Sequence, residues 1–181
     1  HTFFEGRANK IVYDETIGQN ALSLHAYQTH RYSFDATDFE SLKNEFTLEA
    51  YFNIPDVEPD QTLIGMNDCC GLSVGVFNGY LKVTAETPKS TNAEVIYSIP
   101  VNAGEWTHIV VTYDYKDFSL YLNGELYYTA IYSGGLSHVR DESLENTSVT
   151  NIGGVDNGNL TYGAAVKGTL VNCLRLYRGD M

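Results

Sequence analysis

The sequence holds 181 residues, 43% of them apolar and 19% charged, which suits one domain around one sizeable core. Its formal net charge of −12 repels phosphate, so neither nucleic acid nor an anionic membrane surface is a favourable partner. No apolar run is long enough to make a transmembrane helix, so membrane insertion is not expected.

The chain begins at His1 rather than Met and shows no leader peptide. It therefore reads as residues 1–181 of a single domain, mature or excised from a larger protein of the cell surface or extracellular space. Turn signals recur about every ten residues and helical periodicity is nearly absent, the pattern of an all-β sandwich or barrel. In chain order, the first strands are expected at 21–24 and 33–34. The loop YSFDATDFE (32–40) follows, with Asp35 and Asp38 as hard oxygen ligands of the kind calcium prefers.

The clearest strand is FTLEAYFNI (46–54). Phe46, Leu48, Ala50, Phe52 and Ile54 share one face, and Thr47, Glu49, Tyr51 and Asn53 share the other. Pro55 and Pro59, with Asp56, Glu58 and Asp60, end it. Next come two hairpins with Asn-Gly turns, Asn78-Gly79 between 72–77 and 80–85, and Asn123-Gly124 between 118–122 and 125–129. Asn-Gly supplies the two positive-φ residues that a type I′ turn needs. GEWTHIVVTYD lies between them and supplies a strand over 106–113. The segment 133–148 is polar and suits a short helix or a long loop. GGVDNGNLTY (153–162) is a second polar rim with Asp156, Asn157, Asn159 and Tyr162, and a last strand covers 169–177. Ten to twelve short strands make two packed antiparallel sheets.

The three cysteines, Cys69, Cys70 and Cys173, are too few for a disulfide scaffold and fit no zinc spacing. Cys69 or Cys70 is a candidate to bridge Cys173, the alternative being three buried thiols.

Several segments occur in a telling order: NALSL, FTLEAYF, GEWTHIVVTYD, FSLYLNGELY, NIGG and a closing LRLYRGDM. The order resembles the laminin-G-like group of the concanavalin A-like lectin and glucanase superfamily. The resemblance implies a jelly roll, a two-sheet antiparallel β-sandwich, with Trp106 and His108 in structural roles. It implies less about function, because this fold carries sugar binding, adhesion and glycoside hydrolysis alike.

Glycosidases need two carboxylates aimed at one bond, and neither Glu-x-Asp-x-Glu nor Glu-x-Asp-x-x-Glu occurs. There is no Gly-x-Ser-x-Gly elbow and no phosphate-binding glycine loop. Glu49, alone on its strand face, reads as a solvated strand residue. A non-enzymatic reading is therefore preferred. Sugar recognition calls for stacking aromatics and planar polar groups. The candidates are Tyr51, Tyr113 and Tyr121 on exposed strand faces, with Asn157, Asn159 and Tyr162 on the rim. Asp35, Asp38, Asp156 and Asn157 are the candidate ligands for calcium, the one cofactor considered. For a strand tyrosine, packing inside the sandwich is the competing role.

The expected function is a non-catalytic carbohydrate-binding module whose partner is a glycan or polysaccharide. The alternatives are a protein-interaction domain packed against other domains of its parent chain, and a divergent glycoside hydrolase.

Overall fold

The computed structural model describes residues 9–25, 30–35, 44–66, 72–85, 94–131, 147–152, 155–156, 161–162 and 168–179. Among these, two antiparallel sheets stack face to face. The first has seven strands in the order β1 (Lys10–Asp14), β2 (Gln19–Ser23), β15 (Leu170–Arg178), β4 (Glu45–Asn53), β9 (Trp106–Asp114), β10 (Asp117–Leu122) and β11 (Glu125–Ile131). The second has six, in the order β3 (His30–Asp35), β12 (Thr147–Ile152), β5 (Gln61–Met66), β6 (Leu72–Phe77), β7 (Tyr80–Ala85) and β8 (Glu94–Pro100). A small ribbon pairs β13 (Val155–Asp156) with β14 (Thr161–Tyr162). The order is that of a jelly-roll sandwich, as expected.

Alternation builds the core. Phe46, Leu48, Ala50 and Phe52 of β4 meet Ile109, Val111 and Tyr113 of β9 and Phe118 and Leu120 of β10. Opposite them, the second sheet supplies Leu72, Val74, Val76, Leu81, Val83 and Ile99. Each fully buried Val, Leu, Ile or Phe side chain stabilises by roughly 1.5–3 kcal/mol. Tyr97 of β8 ties the layers together, its hydroxyl donating to the Phe118 carbonyl.

Both Asn-Gly turns form. Asn78 and Gly79 have φ of 52° and 76°, and Asn123 and Gly124 have 50° and 87°. These left-handed pairs set the registers Phe77↔Tyr80 and Leu122↔Glu125. Four longer strands lack a clean alternating signal in the sequence: β1, β5, β8 and β12. β5 is buried on both faces over 61–65, which erases its polar–apolar period. Its Gln61 is fully buried and donates to the Asp56 carbonyl at 2.8 Å.

Tyr113 corrects one expectation. It is 1% exposed and stacks on Phe118 with ring centroids 4.2 Å apart. The reason is parity: Tyr113 shares its strand face with Ile109 and Val111, so it must point inward with them.

Candidate functional site

β4 and β9 lie side by side at the centre of the seven-stranded sheet and pair over nine residues. Because their apolar sets fill the core, Glu49 and Tyr51 of β4 and Trp106 and His108 of β9 point to the other face. On β15 the register against β4 shifts between Val171 and Cys173, leaving Asn172 as an extra residue. The bulge re-phases the strand. Leu174 and Leu176 then pack on the core, while Cys173 and Arg175 stand beside Tyr51 and Glu49. At the other flank, Asn123 is clamped to β9. Its N–H donates to the His108 carbonyl at 2.8 Å, and its side-chain carbonyl accepts the His108 N–H at 3.0 Å.

These residues line a groove of about 470 Å³: Glu49, Tyr51, Trp106, His108, Asn123, Gly124, Asn172, Cys173 and Arg175. The size falls within the usual range of small-ligand sites. The Tyr51 ring leans on Trp106 with centroids 4.7 Å apart at 40°, and meets His108 edge-on at 6.0 Å. Next to this shelf, the Glu49 carboxylate engages His108 Nε2 at 3.1 Å through one oxygen and Arg175 Nη1 at 3.0 Å through the other. Burial works to raise the Glu49 carboxyl. The hydrogen bonds from His108 and Arg175, aided by their charges, outweigh it and hold the group below its ordinary value. Glu49 in turn raises the Arg175 guanidinium. The Cys173 thiol is pushed up by burial and by the nearby Glu49 charge, with Arg175 opposing.

The arrangement offers an aromatic shelf bordered by fixed planar polar groups. The shelf can cover the C–H face of a pyranose ring, and the carboxylate, guanidinium and amides can pair with adjacent hydroxyls.

Of the expected site residues, the groove contains Tyr51. Tyr121 is half-buried on the same sheet face, opposite Val110 of β9 and Leu126 of β11, beside the groove but not lining it. Tyr113 is in the core. Asp35 ends β3 opposite Thr147, Asp156 pairs with Thr161, and Tyr162 pairs with Val155. Asp38, Asn157 and Asn159 lie outside the described residues. Among the described residues, no group of three or more His, Cys, Asp or Glu could hold a metal ion. Cys173, the candidate partner of Cys69 or Cys70, carries a free thiol and is half-buried on the groove face. Those two lie outside the described residues.

Sequence reasoning missed Glu49, Trp106 and His108 as site residues, and also Arg175, Asn123 and Asn172. Strand parity marks the first three as sharing an outward face. Nothing in the sequence shows that β15 adjoins β4 or that it bulges at Asn172.

Fold and groove together define a concanavalin A-like β-sandwich with an open groove on its seven-stranded sheet. A laminin G family model of the concanavalin A-like lectin/glucanases superfamily matches residues 27–178, and the chain belongs to that superfamily. No curated protein sequence matches it. Solved structures share the fold, three of them as follows. A botulinum neurotoxin type C chain, from a toxin described as interacting with two ganglioside molecules, aligns with a TM-score of 0.62 and 12% identity. The binding domain of Paraclostridial Mosquitocidal Protein 1 aligns at 0.63 and 14%. A conserved carbohydrate esterase of the Shiga toxin-encoding bacteriophage phi24B aligns at 0.61 and 11%. The alignments cover 97%, 96% and 97% of this chain. The chain spans 42% and 43% of the two toxin chains and 89% of the esterase.

Proposed function

We propose that this domain binds carbohydrate without acting on it, in the groove of the seven-stranded sheet. One observation carries the reading. The Tyr51–Trp106 shelf adjoins a carboxylate held on both oxygens by Arg175 and His108. Such a set matches both the apolar face and the hydroxyl rim of a sugar. Among the described groove residues Glu49 is the single carboxylate, whereas glycoside hydrolysis uses two, roughly 5–9.5 Å apart. Ganglioside interaction by a toxin chain of the same fold supports a glycan as partner. An extracellular or cell-surface location is part of the proposal.

The test is a panel of soluble polysaccharides and sialylated oligosaccharides, run with calcium and with EDTA, on wild type and Trp106→Ala. Binding that survives EDTA and is lost in Trp106→Ala supports the groove. Binding lost in EDTA but unaffected by Trp106→Ala points instead to calcium held by the candidate ligands Asp35, Asp38, Asp156 and Asn157.

A second reading, docking against a partner protein or another domain, has its own observation. The edge strand β11 exposes Leu126, Tyr127, Tyr128 and Ile131 by 52–73%. Absence of binding across the whole panel would favour it.

A further inference from the structure

The β1–β2 hairpin reaches a place its position in the sheet does not explain. β2, β15 and β4 stand between β1 and β9. In a flat sheet four strand spacings would hold the tip of β1 about 19 Å from β9. Yet the indole Nε1 of Trp106, on β9, donates to Asp14 Oδ1, on β1, at 3.3 Å. The hairpin must therefore fold back over the outer face.

Its pairing shows where it leaves the sheet. β1 and β2 pair over five residues, but β2 holds β15 only at Ser23↔Leu170 and Leu22↔Val171. Immediately beyond comes the Asn172 bulge. Asn172 follows the departing strand with its side chain, donating from Nδ2 to Asn20 O at 2.9 Å and to Gln19 Oε1 at 3.3 Å. Two groove residues on different strands, Trp106 and Asn172, are thus fastened to one hairpin tip. The tip is stiffened by the same carboxylate oxygen that receives the indole. Asp14 Oδ1 also accepts the N–H groups of Thr16 at 2.9 Å and Ile17 at 3.3 Å. This hairpin precedes the segment matched by the family model, which starts at residue 27.

We propose that Asp14 is a positioning residue of the groove: through one carboxylate oxygen it couples the hairpin turn to the Trp106 indole and fixes the ring plane on which the ligand rests. Asp14 does not itself line the groove. The inference rests on the groove being the binding site, but the positioning itself can be read without any ligand.

Trp106 is the single tryptophan of the chain, so indole emission excited selectively over tyrosine comes from this residue alone. Asp14→Ala removes the acceptor. Trp106 emission should shift to the red and acrylamide quenching should increase. Asp14→Asn keeps an Oδ1 acceptor and should restore the wild-type emission and quenching. Gly18→Ala supplies the control for a merely loosened turn, because Gly18 sits at φ +66° and does not touch Trp106. It should lower the melting temperature while leaving the indole signal in place. With a soluble β-glucan as the binding probe, Asp14→Ala should weaken affinity about fivefold, and Asp14→Asn should rescue it. Unchanged emission and quenching in Asp14→Ala would overturn the proposal, and so would an equal change in Gly18→Ala. If the wild type binds no polysaccharide, the groove reading fails, while the fluorescence comparison still decides whether Asp14 positions Trp106.

Discussion

Tyr51→Ala and Tyr113→Ala remove the same side chain from two adjacent strands and should fail in different assays. Tyr113 is 1% exposed, stacked on Phe118 at 4.2 Å and tilted against Phe46 at 5.8 Å. Truncating a large buried aromatic costs about 3–5 kcal/mol. In a domain of this size each kcal/mol lowers Tm by roughly 2–4 °C, so the loss should be about 6–20 °C. Tyr51 is half-buried and packs on Trp106 and His108. Its removal sacrifices two ring contacts worth about 0.5–1.5 kcal/mol each, a loss of about 2–12 °C that should be smaller than at Tyr113. It also removes half the shelf, so glycan affinity should fall by about tenfold or more, as at a buried aromatic anchor. Thermal melts by circular dichroism give the first quantity and titration calorimetry below both transitions the second. A folded Tyr51→Ala variant that binds as tightly as wild type would refute the reasoning, as would a Tyr113→Ala variant that melts with wild type.

The ionised Glu49 carboxylate, held below its ordinary value of 4.5, contributes stability that is fully present above that pH and is lost as pH falls through the lower folded-state value. Denaturant melts from acid to neutral pH should show a flatter acid limb in Glu49→Gln, with some slope remaining because Asp114 is likewise lowered, by the Asp117 and Lys116 backbone N–H groups. Identical acid limbs would count against the Glu49 assignment. Gly75→Ala should destabilise by about 1–3 kcal/mol in a chemical melt, since overpacking a close-fitted site costs that much. The new Cβ would lie 2.5 Å from the Gln61 carbonyl oxygen and 2.7 Å from the Phe77 ring, and the backbone contact cannot swing aside. A melt like that of wild type would show that β5 and β6 separate freely. Alkylation of Cys173, followed by mass mapping of its peptide, should be slow at neutral pH and should accelerate as pH rises past the ordinary thiol value of 9.0. Labelled protein should lose groove binding, and fast labelling at neutral pH would contradict the raised thiol.

Much of the sandwich was legible because local rules and the global fold agree. The alternation of FTLEAYFN fixes which face of β4 is buried, and the two Asn-Gly pairs fix both hairpin registers through backbone sterics alone. The same alternation decides that Tyr51 and Trp106 look away from the core and Tyr113 into it, because side chains on a strand repeat every two residues. Where alternation is masked, strands were lost. Over 61–65, β5 is buried on both faces, and its polar Gln61 is accommodated by the Asp56 carbonyl rather than by water.

The groove needed the third dimension. Glu49 and Arg175 are 126 residues apart, and Trp106 and Asp14 are 92 apart. No periodicity announces that β15 pairs with β4, or that one extra residue at Asn172 re-aims Cys173 and Arg175. Glu49 by itself looks like a solvated strand residue, and it becomes a fixed binding group only between His108 and Arg175. Thus the sequence by itself determined the clearly alternating strands, both Asn-Gly turns and which face of β4 is inward, because those depend on near neighbours. Only the tertiary structure decided which outward residues meet, because strand order, the bulge and the folded-back hairpin depend on how distant segments pack.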